Sequence, residues 1–229
     1  MPADDIDVLI RGAGPVGCTL ALALRDSGLR VAVLDLDGPK PSFRPIALSY
    51  ASRLILERVG VWDALQPTPI ETIEVSQAGG FGRTRLGAGD AGVPALGYVT
   101  EYSALLQALK APLSGRLSSG EVPSRCVVHA EGLAPDVSEK RYAQDAIVAQ
   151  IDTDPAAATT AFERFTAEGP LALLPFGARY ALIWSTTPER AAKLAAASDD
   201  EFLRALALAA GCRAGVPFKV GVRAVQPLM

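Results

Sequence analysis

Residues 7–35 read DVLIRGAGPVGCTLALALRDSGLRVAVLD, and this stretch decides the fold. Asp7 to Arg11 is a short apolar run that ends at glycines, as a buried parallel strand does. The glycine turn at 12–17 opens a segment in which Leu20, Leu22 and Leu24 lie among alanines. That segment is expected to be a helix closed by Gly28 as its C-cap. Residues 31–35, VAVLD, form a second apolar run with an acid at its end. Strand, turn, helix and strand within about 30 residues make one βαβ unit.

The turn itself has the spacing Gly12-x-Gly14-x-x-Gly17, with Ala13, Pro15 and Val16 between the glycines. Gly12 permits the tight bend, Gly14 lets a pyrophosphate approach the backbone, and Gly17 lets helix and strand pack closely. Free N–H groups and the dipole at the helix start favour the phosphate charge. Asp35, at the end of the second run, can accept hydrogen bonds from an adenosine ribose. An ordinary βαβ turn would explain the glycines but not the acid. The pattern therefore points to a bound dinucleotide, and its spacing does not distinguish FAD from NAD.

Outward from this unit, DGPKPSFRP is too rich in proline to be regular, and residues 47–59 read as a helix stopped by Gly60. Residues 70–77 and 84–86 read as strands about a glycine turn, 98–100 as a short strand, and 103–110 as a helix. Residues 112–123 read as a loop, and 125–130 as a strand ending at Glu131-Gly132. The second half changes character: AQDAIVAQID, TAFERFT, PLALLP and RYALIWS follow at short intervals, which predicts an antiparallel meander. Pro188 suits a first helical position, and Ser198-x-x-Glu201 is a capping box before a last helix. The tail, VPFKVGVRAVQPLM, reads as a strand.

Composition excludes several classes. The 229 residues are 49% hydrophobic and 21% charged, near the average for globular proteins, which rules out disorder, collagen and coiled coil. A net charge of −3 gives no basic footprint for nucleic acid. Cys18, Cys126 and Cys212 have no CxxC spacing and read as buried thiols of a reducing cytosol rather than a metal site. The start, MPADDIDVLI, is not a signal peptide, and no apolar run approaches the ~20 residues of a transmembrane helix.

Beyond the glycine turn, FRPIALSYASRLILERVGVWDAL, ETIEVSQAGGFGRTRL, VPALGYVTEY and GPLALLP decide a family resemblance. With residues 12–35 they resemble the FAD-dependent aromatic hydroxylases of ubiquinone biosynthesis. These are the 2-octaprenyl-6-methoxyphenol hydroxylase (UbiH-like) group of the class A flavoprotein monooxygenases. The resemblance implies an α/β chain with an incomplete Rossmann-like FAD-binding domain and an antiparallel β-sheet substrate domain. The first would span residues 1–70 and 98–142, the second 71–97 and 143–187, with helices and a tail at 188–229. It implies FAD with its pyrophosphate on Gly12, Ala13, Gly14, Pro15, Val16 and Gly17, its ribose at Asp35, and Arg44 reaching the flavin cofactor. NAD(P)H would be the electron donor and oxygen the second substrate, with one oxygen atom placed on a phenolic quinone precursor. Membership of a ubiquinone-biosynthesis protein complex is implied too, in a cytoplasmic protein peripheral to the inner membrane.

Three departures stand against the family pattern. Glu131-Gly132 replaces Asp-Gly, so Glu131 would serve with a longer reach. The 112–123 loop is short. The later Gly-Asp-type motif and the Pro-x-x-Gly-x-Gly segment are absent. The expectation is therefore a chain shorter than the family's functional unit, with a non-catalytic or partner-binding relative as the alternative. A plain NAD-dependent dehydrogenase is disfavoured by the meander and by the absence of a Tyr-x-x-x-Lys pair. His129, Tyr180, Trp184 and Asp199–Glu201 read as surface, packing and capping residues, and Cys18 as a packing residue. No catalytic residue or metal ligand is assigned.

Overall fold

The computed structural model describes residues 6–35, 43–132, 143–211 and 213–228. The chain divides into two units: residues 1–41, 52–66 and 101–138 form the first, and 42–51, 67–100 and 139–229 the second.

In the first unit the apolar runs pair as their pattern predicts. β1 (Ile6–Arg11) lies parallel to β2 (Val31–Leu34), with Val8 opposite Val31 and Arg11 opposite Leu34. β9 (Ser124–His129) pairs in parallel on the other side of β1, and the two-residue β8 (Leu117–Ser118) joins β2, giving the order β8-β2-β1-β9. β8 lies within the stretch that reads as a loop. Two residues carry no periodic signal, and only the free edge of β2 makes them a strand. α1 (Pro15–Ala23) buries Cys18, Ala21 and Leu22, and α3 (Tyr102–Lys110) buries Leu105 and Leu109. The two helices pack on each other.

α1 ends earlier than the sequence suggests. Leu24 is its C-cap, and Ser27 Oγ donates to Leu24 O at 2.7 Å, turning the chain before Gly28. Gly28, at φ +77°, belongs to that turn. Residues 47–49 are also not helical. They belong to β3 (Pro45–Ser49), and the helix, α2, runs only from Tyr50 to Arg58. β3 joins β7 (Gly97–Glu101) and β4 (Thr68–Ile70) in a three-stranded sheet. A Cβ on Gly97 would lie 2.9 Å from Leu48 O, so the close approach that recruits 45–49 into the sheet depends on this glycine. Cys126 is exposed on β9, an edge strand, and so is not a buried thiol. Cys212 lies outside the described residues.

The large sheet of the second unit has the order β14-β10-β13-β12-β11-β5-β6. Its strands are β5 (Thr72–Gln77), β6 (Arg83–Gly87), β10 (Asp145–Asp154), β11 (Thr160–Phe165), β12 (Pro170–Phe176), β13 (Arg179–Thr186) and β14 (Val216–Val220). β15 (Ala224–Pro227) also pairs with β10. β11, β12 and β13 form the expected run of hairpins. β10, however, pairs with β13 instead of β11, whose free edge is taken by β5 in parallel. The tail is two strands laid along β10.

Period-two alternation gives this sheet two faces. Ile147, Leu171, Tyr180, Leu182 and Trp184 pack with Leu194 of α4 (Pro188–Ala196) and with Phe202 and Leu206 of α5 (Asp199–Ala210). Trp184 and Phe202 meet edge to face, with ring centroids 6.2 Å apart. The opposite face gathers Phe43, Val148 and Ala181 against Leu174 and Phe176, with Ile70, Val99 and Ala161 beside them. Tyr180 and Trp184 are thus packing residues. Pro188 opens α4, and Ser198 and Glu201 form the expected capping box of α5. No described helix is long and apolar enough to cross a membrane.

Candidate cofactor site

Because β1, β2 and β9 are parallel, their carboxyl ends lie on one side of the sheet, where open α/β sheets bind ligands. The glycine turn leaves β1 there. Gly12 has φ +104°, and a Cβ on it would lie 2.7 Å from the Ala130 carbonyl and 2.8 Å from Glu131 N. Any larger residue would push the turn away from the end of β9. A Cβ on Gly17 would lie 2.0 Å from Gly12 O, so this glycine is what lets α1 start so close to β1.

Gly14 differs from both. Its φ of −75° and ψ of 179° suit any residue, and the nearest atom to a Cβ would be the Tyr102 hydroxyl at 3.8 Å. Space is left open above its backbone. Gly14 is the N-cap of α1 and makes no side-chain cap hydrogen bond, and the first turn holds no acid. The N–H groups at a helix start have no partner within the helix, and Gly14 has no side chain with which to supply one. Such an end suits an anion. Ala13 is buried, whereas Val16 is exposed. Cys18 Sγ donates to Ala13 O at 3.3 Å, and burial pushes its thiol up to about 11, so it is a packing group.

The other two acids stand at the same sheet end. Asp35 donates its backbone N–H to Ser118 O at 2.9 Å, and its carboxylate pairs with the Lys110 ammonium. Glu131 Oε1 lies 3.5 Å from Arg11 Nε and 3.2 Å from His129 Nδ1, while Arg11 Nη1 reaches Glu121 at 2.9 Å. Glu131 Oε2 is buried and takes no hydrogen bond from the described residues. A buried oxygen without a donor is costly, so it is an acceptor a ligand could satisfy. His129 is exposed.

Residues 5–96 match the FAD binding domain family. Ubiquinone hydroxylase UbiL of Rhodospirillum rubrum is 31% identical over 95% of this chain and 60% of its own length. Along most of its own length the chain is similar to the UbiH-like FAD-dependent hydroxylases. A second relative, 3-demethoxyubiquinol 3-hydroxylase of Escherichia coli, is 29% identical over 82% of this chain and 59% of its own length. The chain therefore spans about three-fifths of the length of these two relatives. Among solved structures, PqsL of Pseudomonas aeruginosa matches with a TM-score of 0.73 at 21% identity, covering 97% of this chain and 73% of its own. The p-nitrophenol 4-monooxygenase PnpA of Pseudomonas putida matches with a TM-score of 0.70 at 14% identity, covering 97% and 68%. These two show the fold: a Rossmann-like part joined to a β-sheet part.

The first unit brings together Gly12, Ala13, Gly14, Pro15, Val16, Gly17, Asp35 and Glu131. Arg44 is exposed, precedes β3 in the chain and belongs to the second unit. An uncapped helix start, open space over Gly14 and the unpartnered Glu131 oxygen all fit the adenosine diphosphate of FAD. Three neighbours escape a reading of the sequence: Arg11, Tyr102 and Lys110. Arg11 looks like any strand-end charge. Tyr102 and Lys110 belong to α3, remote in sequence from the turn and from Asp35.

Proposed function

We propose that this chain is the FAD-holding and sheet-forming part of a monooxygenase that hydroxylates a phenolic quinone precursor, with NAD(P)H and oxygen as co-substrates. The observation that carries the reading is the uncapped start of α1 with Gly14 open above it, flanked by Asp35 and Glu131 at one sheet end. The names of the relatives, both hydroxylases of ubiquinone or its precursor, support the substrate class.

FAD would supply the redox chemistry by which one oxygen atom reaches the ring. The protein's part is binding, orientation and exclusion of water. The N–H groups and dipole of α1 receive the pyrophosphate, and Gly12 and Gly17 hold the turn in place to do so. Asp35 accepts a hydrogen bond from the adenosine ribose, and Glu131 Oε2 accepts one from a polar group of the cofactor. Arg44 offers a charge to the flavin half. The antiparallel strands within residues 143–187 would wall the site of an aromatic substrate, as the resemblance implies. A polyprenyl tail on that substrate would bring the protein to a membrane surface as a peripheral component, beside other proteins of the pathway.

Flavin fluorescence on titration with FAD tests the binding half. Saturable one-to-one quenching supports the site, and none at high FAD overturns it. With FAD bound, NAD(P)H oxidation in the presence of a phenol should be coupled to ring hydroxylation. Peroxide release without hydroxylated product would overturn the monooxygenase reading for this chain alone.

A further inference from the structure

Asp35 is held from two directions. Its main chain is fixed by the Ser118 carbonyl of β8 at 2.9 Å, and its Oδ2 is bonded by Lys110 Nζ. Lys110 is the last residue of α3, and Leu105 and Leu109, both buried, anchor the end of that helix. The pair is also shielded, with 19% of the Lys110 side chain and 24% of the Asp35 side chain exposed. A pair this covered is screened less than a surface ion pair, which contributes little. A lysine stem carries much rotamer freedom, so pinning it here needs a return.

We propose that Lys110 is a positioning residue for the adenosine ribose of FAD. It clamps Oδ2 of Asp35 and thereby presents Oδ1 as the acceptor for the ribose 2′-hydroxyl. The inference rests on the reading of Asp35 as the ribose acceptor. It assigns to α3, outside the glycine turn, a part in fixing the cofactor's adenosine end. Lys110 acts through Asp35 and touches no reacting atom.

The test measures dissociation constants for FAD and for its 2′-deoxyadenosine analogue with the wild type, Lys110→Met, Lys110→Arg, Asp35→Ala and the Asp35→Ala/Lys110→Met double variant. Wild type should prefer FAD over the analogue. Lys110→Met should weaken FAD about tenfold, the cost of disordering one charged hydrogen-bond acceptor, and should erase most of that preference. Lys110→Arg should restore it. In the Asp35→Ala background Lys110→Met should change nothing. Urea midpoints without FAD show whether Lys110→Met folds, and Lys110→Gln, which keeps a donor, replaces it if it does not. Unchanged or tighter FAD binding by Lys110→Met overturns the proposal, because the lysine is then inert or a competitor of the ribose. So does a loss that persists without Asp35, since the ammonium would then act directly on the phosphates. If Asp35→Ala itself leaves FAD binding intact, the underlying site assignment fails instead.

Discussion

Gly14 and Gly17 belong to one turn, yet alanine at each should fail in a different way. At Gly17 a Cβ would lie 2.0 Å from Gly12 O and 3.1 Å from Ile10 Cγ2, where ordinary contact begins near 3.4 Å. Backbone must move by more than an ångström, and overpacking of this kind costs about 3 kcal/mol. For a chain of this size that lowers the melting temperature by about 6–12 °C. At Gly14 the backbone is already extended and the nearest atom is 3.8 Å away, so Gly14→Ala should stay within about 0.5 kcal/mol of wild type. Its methyl group, however, fills the space a pyrophosphate needs. Losing one charged hydrogen bond to phosphate costs about 1.5–3 kcal/mol, at least tenfold in affinity. Urea unfolding without FAD and fluorescence titration with it separate the two effects. If Gly14→Ala binds FAD as tightly as wild type, or unfolds as early as Gly17→Ala, the assignment of roles within the turn is refuted.

Other substitutions probe the frame around the site. Glu163 sits on β11 between Val75 and Ala172, and burial raises its carboxyl above the ordinary 4.5. The folded state then holds its proton longer than the unfolded state, so this group lowers stability as pH rises above about 4.5. Glu163→Gln should be more stable than wild type at neutral pH and should flatten the pH dependence of the urea midpoint; an unaltered slope would count against it. Asp7 has the opposite sign: the hydrogen bond from the Arg30 side chain leads in lowering its carboxyl from 3.8 to about 2. Its stabilising contribution is complete above about pH 3.8 and disappears as pH falls through 2, so Asp7→Asn should remove that part of the acid-unfolding curve. Ser198→Ala removes the acceptor for Glu201 N–H at the start of α5 and should cost about 1 kcal/mol, read as a drop of about 2–4 °C in thermal melting.

What could be read from the sequence was local. Gly12, Gly14, Gly17 and Asp35 announce the first βαβ unit because a strand period, a glycine turn and an acid occur within about 30 residues. The capping box at Ser198 and the proline at 188 are equally local. The readings that failed depended on partners far along the chain. Residues 47–49 have helical spacing but become strand because Gly97 admits Leu48 O. β10 reads as the first strand of a meander, yet pairs with β13 because β5 claims β11. Lys110 has no signal at all: its only mark is the pairing with Asp35, 75 residues away in the chain. Arg44 was readable as a motif residue but lies in the second unit, so its part in binding stays a proposal drawn from the resemblance.

The placement of Glu131 follows from Gly12 in a way that neither motif states alone. Ala130 donates its N–H to Arg11 O at 2.8 Å, continuing the β1–β9 ladder one step beyond His129. At the next residue Gly12 turns with φ +104° directly against the Ala130–Glu131 peptide. The absence of a Cβ on Gly12 is therefore what allows the two segments to end at the same height. Glu131 then falls beside Arg11, which is already engaged by Glu121, and one carboxylate oxygen is turned into a buried position without a donor among the described residues. An aspartate, one methylene shorter, would draw the carboxylate back from Arg11 Nε and His129 Nδ1, which Glu131 Oε1 meets at 3.5 and 3.2 Å. Glu131→Asp should weaken the contact to Arg11 and lower FAD affinity while leaving the β1–β9 ladder intact. If Glu131→Asp bound FAD as well as wild type, the longer side chain would have no part in the site.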